Sequence, residues 1–391
     1  MKQPTTHLSL LSVLALSSFA AVASPPFVKD GTAGFVISDF AYALGPDAAG
    51  TPSCPDGLSR NLEEIYSILN QVKRGPNETE QAFDERLKQG AKTLATGENG
   101  QHLCMHPEAG SPDPFYKTLQ GSTITAEGID LDGKNDKDDF TGADGTTGID
   151  NQFYRAVGCS RSFQSSGQSN GFVVEMLTGA WGIVIELRGV DNIRNDDHVE
   201  VTIAANADPI QLSASRQALP YATYAMDQDP LYRGITRGRI KDGRLVTEPV
   251  TLRFHSSVNS MQLQRPLLEG RIDAQLSEDG TIKGILAGYT PVEALYDFQY
   301  GYRNGTTQTG ELAPLGLRLG SASGAAAVLG HTCHGAYHAL YQHADAMPDP
   351  ETGAMTAVST QYRFEAVPAF VVDTETSSLN AQLAPASGRY Q

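Results

Sequence analysis

Apolar positions recur at helical spacing twice early in the chain and at strand spacing through much of its second half. Leu62, Ile65, Leu69 and Val72 form one helical face behind Asn61, with Glu64 at the reciprocal capping position and Gly75-Pro76 as the stop. Phe83, Leu87, Ala91 and Leu94 form a second face, with Asn77 and Glu80 as its capping pair and Asp84 and Lys88 paired outside. Ahead of them, residues 34–37 read as a short strand among loops. Residues 95–160 have no sustained period and read as loop, a length that usually carries function or disorder. From about residue 170 the pattern predicts a short helix at 171–177 and strands at 182–187 and 199–203. Asp242-Gly243 and Asp279-Gly280 each stand between alternating runs and predict two hairpins, hence antiparallel sheet. A helix over 291–300, a Gly/Ala-rich stretch, a helix over 329–344 and a strand over 360–372 follow. The expected fold class is α+β and β-rich. A loop-rich helical region at 24–160 precedes an antiparallel β-sandwich-like region with a C-terminal helix at 161–372, and a loose polar tail at 373–391 ends the chain.

The ends and the charge add the compartment. Lys2, an apolar run at 8–19 and Ala21-Val22-Ala23 before Ser24 read as a signal peptide over 1–23. The chain is expected to be exported, to the periplasm or outside, and Ser24 offers no thiol for a lipid anchor. No later run approaches the roughly 20 apolar residues of a membrane helix, so no membrane span is expected. Against 45 acidic residues stand 29 basic ones, a formal charge of −16 with no basic cluster, which excludes nucleic acid as a partner. A small molecule, a glycan or a protein remains. At 391 residues, two domains or one large decorated β domain are expected. Cys54, Cys104, Cys159 and Cys333 should form two disulfides in an oxidising compartment. Of the three connectivities, Cys54 with Cys104 and Cys159 with Cys333 is the expected one: the first brackets the helices, the second ties the acidic loop to the C-terminal helix.

Three constellations could carry chemistry. Asp130, Asp132, Asp136, Asp138, Asp139, Asp144 and Asp150 crowd one loop, and D-x-D-G-x-x-D-x-x-D is a spacing at which carboxylates converge on a hard cation. Gly133 stands fourth and Thr141 twelfth, which departs from an EF-hand and is closer to thrombospondin type 3 loops. Asp130, Asp132, Asp136, Asp139 and Asp150 are the candidate calcium ligands; a solvated acidic loop is the plainer alternative. His331, His334 and His338 follow i, i+3, i+7 with Asp345 a heptad on, a stripe that could hold copper or zinc in an exported metalloenzyme. Gly167 to Gly171 match G-x-S-x-G around Ser169, a serine-hydrolase signature in a polar context that lacks the preceding core strand. Trp181, Tyr296, Phe298, Tyr300 and Tyr302 could stack on sugars, although core packing is the commoner use of such rings.

As a set, Asp130-Leu131-Asp132-Gly133, residues 148–152 (GIDNQ), Gly158-Cys159, Gly189-Val190-Asp191, Arg194-Asn195-Asp196-Asp197, residues 359–362 (STQY) and residues 367–370 (VPAF) resemble a family of exported proteobacterial proteins of unassigned function. The resemblance spans most of the chain and implies export and an intact Asp loop. It brings no activity. Further cysteines of that pattern, near Asp136 to Asp138 and Met355, are missing here, which leaves Cys159 and Cys333 for each other; the three histidines are not part of it. The expected function is that of a secreted or periplasmic, calcium-stabilised binding or adhesion protein.

Overall fold

Asp242 at φ 53° and Gly243 at φ 80° turn the chain between two strands, the left-handed pair that a two-residue Asp-Gly hairpin requires. That turn belongs to a computed structural model that describes residues 27–121, 123–164, 167, 172–179 and 181–374. The expected signal peptide, Ser169 and the tail beyond Thr374 lie outside the described residues. The strands are β1 (Val28–Lys29), β2 (Thr32–Tyr42), β3 (Ile183–Arg188), β4 (Asn195–Ala205), β5 (Thr223–Ala225), β6 (Arg233–Lys241), β7 (Arg244–Thr247), β8 (Val250–Val258), β9 (Met261–Leu276), β10 (Ile282–Pro291), β11 (Ala346–Pro348) and β12 (Met355–Val372). The helices are α1 (Leu62–Leu69), α2 (Glu80–Ala91), α3 (Gln152–Val157), α4 (Val173–Leu177), α5 (Val292–Tyr296), α6 (Leu315–Leu329) and α7 (Cys333–Gln342).

The protein is α+β and β-rich, as its pattern predicts, and its sheet closes on itself. β2, β3, β4, β6, β7, β9, β10 and β12 pair in that order, each antiparallel to the next, and β12 pairs back onto β2. The sandwich-like region is therefore realised as a barrel without free edges along this ring. β8 extends it by pairing with the first half of β9, and β5 lies parallel to the end of β12. Along β12, Tyr362, Phe364 and Ala366 are buried while Arg363 is exposed, the alternation of a wall with an apolar inside. Phe40, Tyr42 and Tyr362 stack within it, centroids 4.8 and 5.1 Å apart.

The expected boundary near residue 160 does not part the strands. β2, assigned from sequence to the N-terminal region, hydrogen-bonds on both sides to β3 and β12, and residues 43–182 are an excursion between neighbouring strands. Asn61 caps α1 with the full reciprocal box, whereas α2 is capped by Thr79 and not Asn77. The helix expected over 329–344 forms as α7, which starts later because Gly330 at φ 83° ends a preceding helix and Thr332 caps the new one; that preceding helix, α6, occupies the stretch read only as Gly/Ala-rich. The expected loose tail begins tethered, for Asp373 receives Arg233 at 2.8 and 3.0 Å.

The disulfides correct the expected pairing: they are Cys54 with Cys159 and Cys104 with Cys333. Residues 53–59 lie against the end of α3, where Ser59 donates to the Cys159 carbonyl at 2.8 Å. Cys104 lies beside α5, its carbonyl accepting from the Tyr296 hydroxyl at 3.0 Å, next to α7. The two early helices thus lie inside the loop that Cys54 and Cys159 close and outside the one that Cys104 and Cys333 close. No helix among the described residues is long and apolar enough to cross a membrane.

Candidate metal centre

The acidic loop is built on its own backbone. Asp130 Oδ1 accepts from Gly133 N at 2.6 Å, Asp132 Oδ1 from Lys134 N at 2.8 Å, and Asp150 Oδ2 from Leu131 N at 2.6 Å and Asp132 N at 3.3 Å. Such Asx turns use short carboxylates to fold a chain that has no sheet or helix to join. Gly133 at φ 78° and Gly148 at φ 76° complete it; a Cβ on Gly148 would stand 2.4 Å from the Lys134 carbonyl.

The loop is then stapled to the barrel wall. Gln361, fully buried on β12, donates to the carbonyls of Ile129 at 2.8 Å and Asp150 at 2.6 Å and accepts from Ile129 N at 3.1 Å. Gln152 N donates to Ser359 Oγ at 2.9 Å, and the Asn151 side chain caps α3 while donating to Ala43 O and Glu127 O. The sequence blocks at 148–152 and 359–362 are thus two halves of one joint. Arg155, over the Phe140 ring at 4.6 Å, donates to Asp138 O at 2.7 Å and holds the far side of the loop.

This scaffold brings three of the five predicted ligands together. Asp130, Asp132 and Asp150 each offer an oxygen, and these lie within 4.8 Å of one another, the only such grouping of His, Cys, Asp or Glu among the described residues. Oxygens at about 2.4 Å from one calcium ion stand at most about 5 Å apart, so the spacing suits one ion. Asp136 is not in the group, and Asp139 turns back to accept from Asp136 N. Burial first, then the charges of Asp139, Asp132 and Asp345, push Asp150 up to about 7, against the opposing Leu131 hydrogen bond. Burial also pushes Asp345 up to about 6, with Asp139 adding to it. Lys134 Nζ meets Asp132 at 2.8 Å and holds it below the usual carboxylate range; both groups reach solvent. Asp345, between α7 and β11, is the acidic neighbour that the loop's own sequence does not reveal. Asp130 also lines a cleft of about 1310 Å³ between the loop and the barrel, together with Arg244, Arg271 and Arg363.

The histidine stripe does not assemble as predicted. His331 precedes the Thr332 cap, so the helical i, i+3 relation to His334 does not apply to it. It is fully buried between the Tyr116 and Tyr300 rings, its Nδ1 3.0 Å from Ser160 Oγ, and burial pushes it down to about 3. His338 Nε2 donates to Gly110 O at 2.6 Å, and Gly110 packs against the His334 side chain. Trp181, Tyr296, Phe298, Tyr300 and Tyr302 are all buried and pack in the core. Set against models of protein families, curated proteins and solved structures, the chain has no match in any of the three comparisons.

Proposed function

We propose that this is an exported binding protein whose acidic loop is ordered by one calcium ion held by Asp130, Asp132 and Asp150 beside the large cleft. The observation that carries the reading is the convergence of these three carboxylates, one of them buried and pushed up to about 7. Like charges at such spacing repel in a partly desolvated site, and a hard divalent cation removes the repulsion. Export is supported by the amino-terminal pattern and by the two disulfides, which persist in oxidising compartments. The cleft beside the centre is the place for a small-molecule, glycan or peptide ligand. The test is melting in EGTA and in calcium. Calcium at 100 times its Kd contributes about 2.7 kcal/mol, and Asp132→Ala should abolish most of that gain. Superimposable wild-type curves in the two conditions reject the proposal.

A further inference from the structure

Arg265 stands on the buried face of β9 with Leu263 and Leu267, and only 5% of its surface is exposed. Its guanidinium carbon lies 3.4 Å from the Phe298 centroid and 3.9 Å from that of Phe172, with Trp181 at 5.6 Å. Its three side-chain nitrogens make no close hydrogen bond, and the Tyr42 hydroxyl is the one group near enough to bond the guanidinium weakly. Arginine stays charged at any working pH, so this is a buried cation with most of its five donors unsatisfied, an expensive arrangement unless something else completes it. The nearby side chains each hold another partner as well. Glu175 takes the Trp181 Nε1 proton at 3.2 Å, and Gln299 Oε1 takes the Tyr42 hydroxyl at 3.3 Å.

The surroundings have other marks of a binding site. Phe298 belongs to a π-helical turn, Asp297–Gly301, a rare form that recurs at functional positions. Tyr302 ends that turn at φ 49°, a left-handed conformation that a tyrosine holds only when its surroundings impose it. Tyr302 is close enough to Arg265 for the cation to act on its hydroxyl. Tyr302 and Gln299 also line a cleft of about 560 Å³ along α6, where Gly316, Gly320 and Gly324 leave open space at every Cβ position.

We infer that Arg265 anchors a carboxylate ligand with an apolar body, which enters along the glycine face of α6. With two rings packed against the guanidinium, the N–H edge is what remains for a partner, and a planar carboxylate matches that edge with two parallel bonds. A phosphate dianion carries two negative charges against this single cation, whereas a carboxylate carries one. The neighbouring Phe40, Phe172, Trp181 and Tyr362 rings suit an apolar body. This site is separate from the acidic loop and does not depend on calcium.

The test is calorimetric and thermal titration of the whole protein with hexanoate and benzoate, and with hexanol, methyl benzoate and sodium chloride. One acid binds wild type saturably at one per chain and raises its Tm, while hexanol, the ester and chloride do not. Affinity falls at least tenfold in Arg265→Lys and is lost in Arg265→Met, which without ligand melts no lower than wild type because an unpaired buried charge is gone. Equal binding of acid and uncharged analogue, a response to chloride alone, no saturable binding of either acid, or undiminished binding by Arg265→Met overturns the inference. So does a ligand-free Arg265→Met melting far below wild type, which marks the cation as structural. The comparison of acid with ester needs no variant and stands even where a variant fails to fold.

Discussion

Asp150 keeps its proton up to about pH 7 in the absence of a cation, chiefly because it is buried and then because Asp139, Asp132 and Asp345 face it. The unfolded chain releases that proton near pH 3.9. A raised folded pKa contributes stability that is complete below about pH 4 and is lost as pH rises through about 7. Calcium needs the carboxylate, so its effect grows over the same window. The Tm difference between calcium and EGTA should therefore be small at pH 5 and large at pH 8. In EGTA at pH 8, Asp150→Asn should add about 2 kcal/mol, at about 1.4 kcal/mol per tenfold in proton affinity and reduced for solvent access, and should cancel the calcium response. His331 and His343, pushed down to about 3 and about 4 by burial, act oppositely: acid below about 6.5 protonates them only in the unfolded chain. Both remain in the variant, so the difference between wild type and Asp150→Asn isolates the carboxylate. A gap that is the same at pH 5 and pH 8 would remove Asp150 from the centre. Gln361→Ala tests the joint beneath it. The change strands two carbonyls and an amide in the interior and should cost about 3 kcal/mol or more in urea unfolding. Three of the five carboxylates read from Asp spacing do converge, but the parts of Gln361 and Asp345 could not be read, because their link to the loop exists only once β12 is in place.

Between elements, local chemistry was readable and distant pairing was not. Both Asp-Gly hairpins form where the alternation places them, as β6–β7 and β9–β10, because a turn that needs left-handed residues announces itself in two letters. The reciprocal cap of α1 is equally local. α6 was not legible, because Gly316, Gly320 and Gly324 lower the helix propensity of its stretch, and α7 starts after Gly330 and not at Leu329. Gly284 shows what strand pairing adds: a Cβ there would stand 2.2 Å from the Asp273 carbonyl across the β9–β10 ladder. Gly284→Ala should thus destabilise by about 1–3 kcal/mol, the range for overpacking, against the usual gain of an alanine in a strand. A neutral or positive shift in Cm would contradict the close approach of these strands. The disulfides illustrate the same limit, since which cysteines meet depends on how the 43–182 excursion returns to the barrel.

Across the whole molecule, the barrel wall and the loop beside it are joined by few covalent links, and this makes the connectivity testable together with the calcium reading. The ring closes through β2 and β12, whose paired residues include Gly34 with Ala369, and whose Ser38–Glu365 hydrogen bond spans 327 residues, a separation that no local pattern can disclose. Burial of the barrel strands protects them from proteases, whereas Lys134 and Lys137 in the acidic loop keep 66% and 88% of their side chains exposed. In EGTA, trypsin should cut first after Lys134 or Lys137, and calcium should slow that cut by ordering the loop. Both sites lie between Cys104 and Cys159. With Cys54 joined to Cys159 and Cys104 to Cys333, the two fragments remain linked by two disulfides and separate on a denaturing gel only after reduction. Pairing of Cys54 with Cys104 and Cys159 with Cys333 would instead release them without reductant. A cut at equal rates with and without calcium speaks against an ordered metal loop, and fragments that part on the non-reducing gel speak against the observed disulfides, so one digestion separates the two claims.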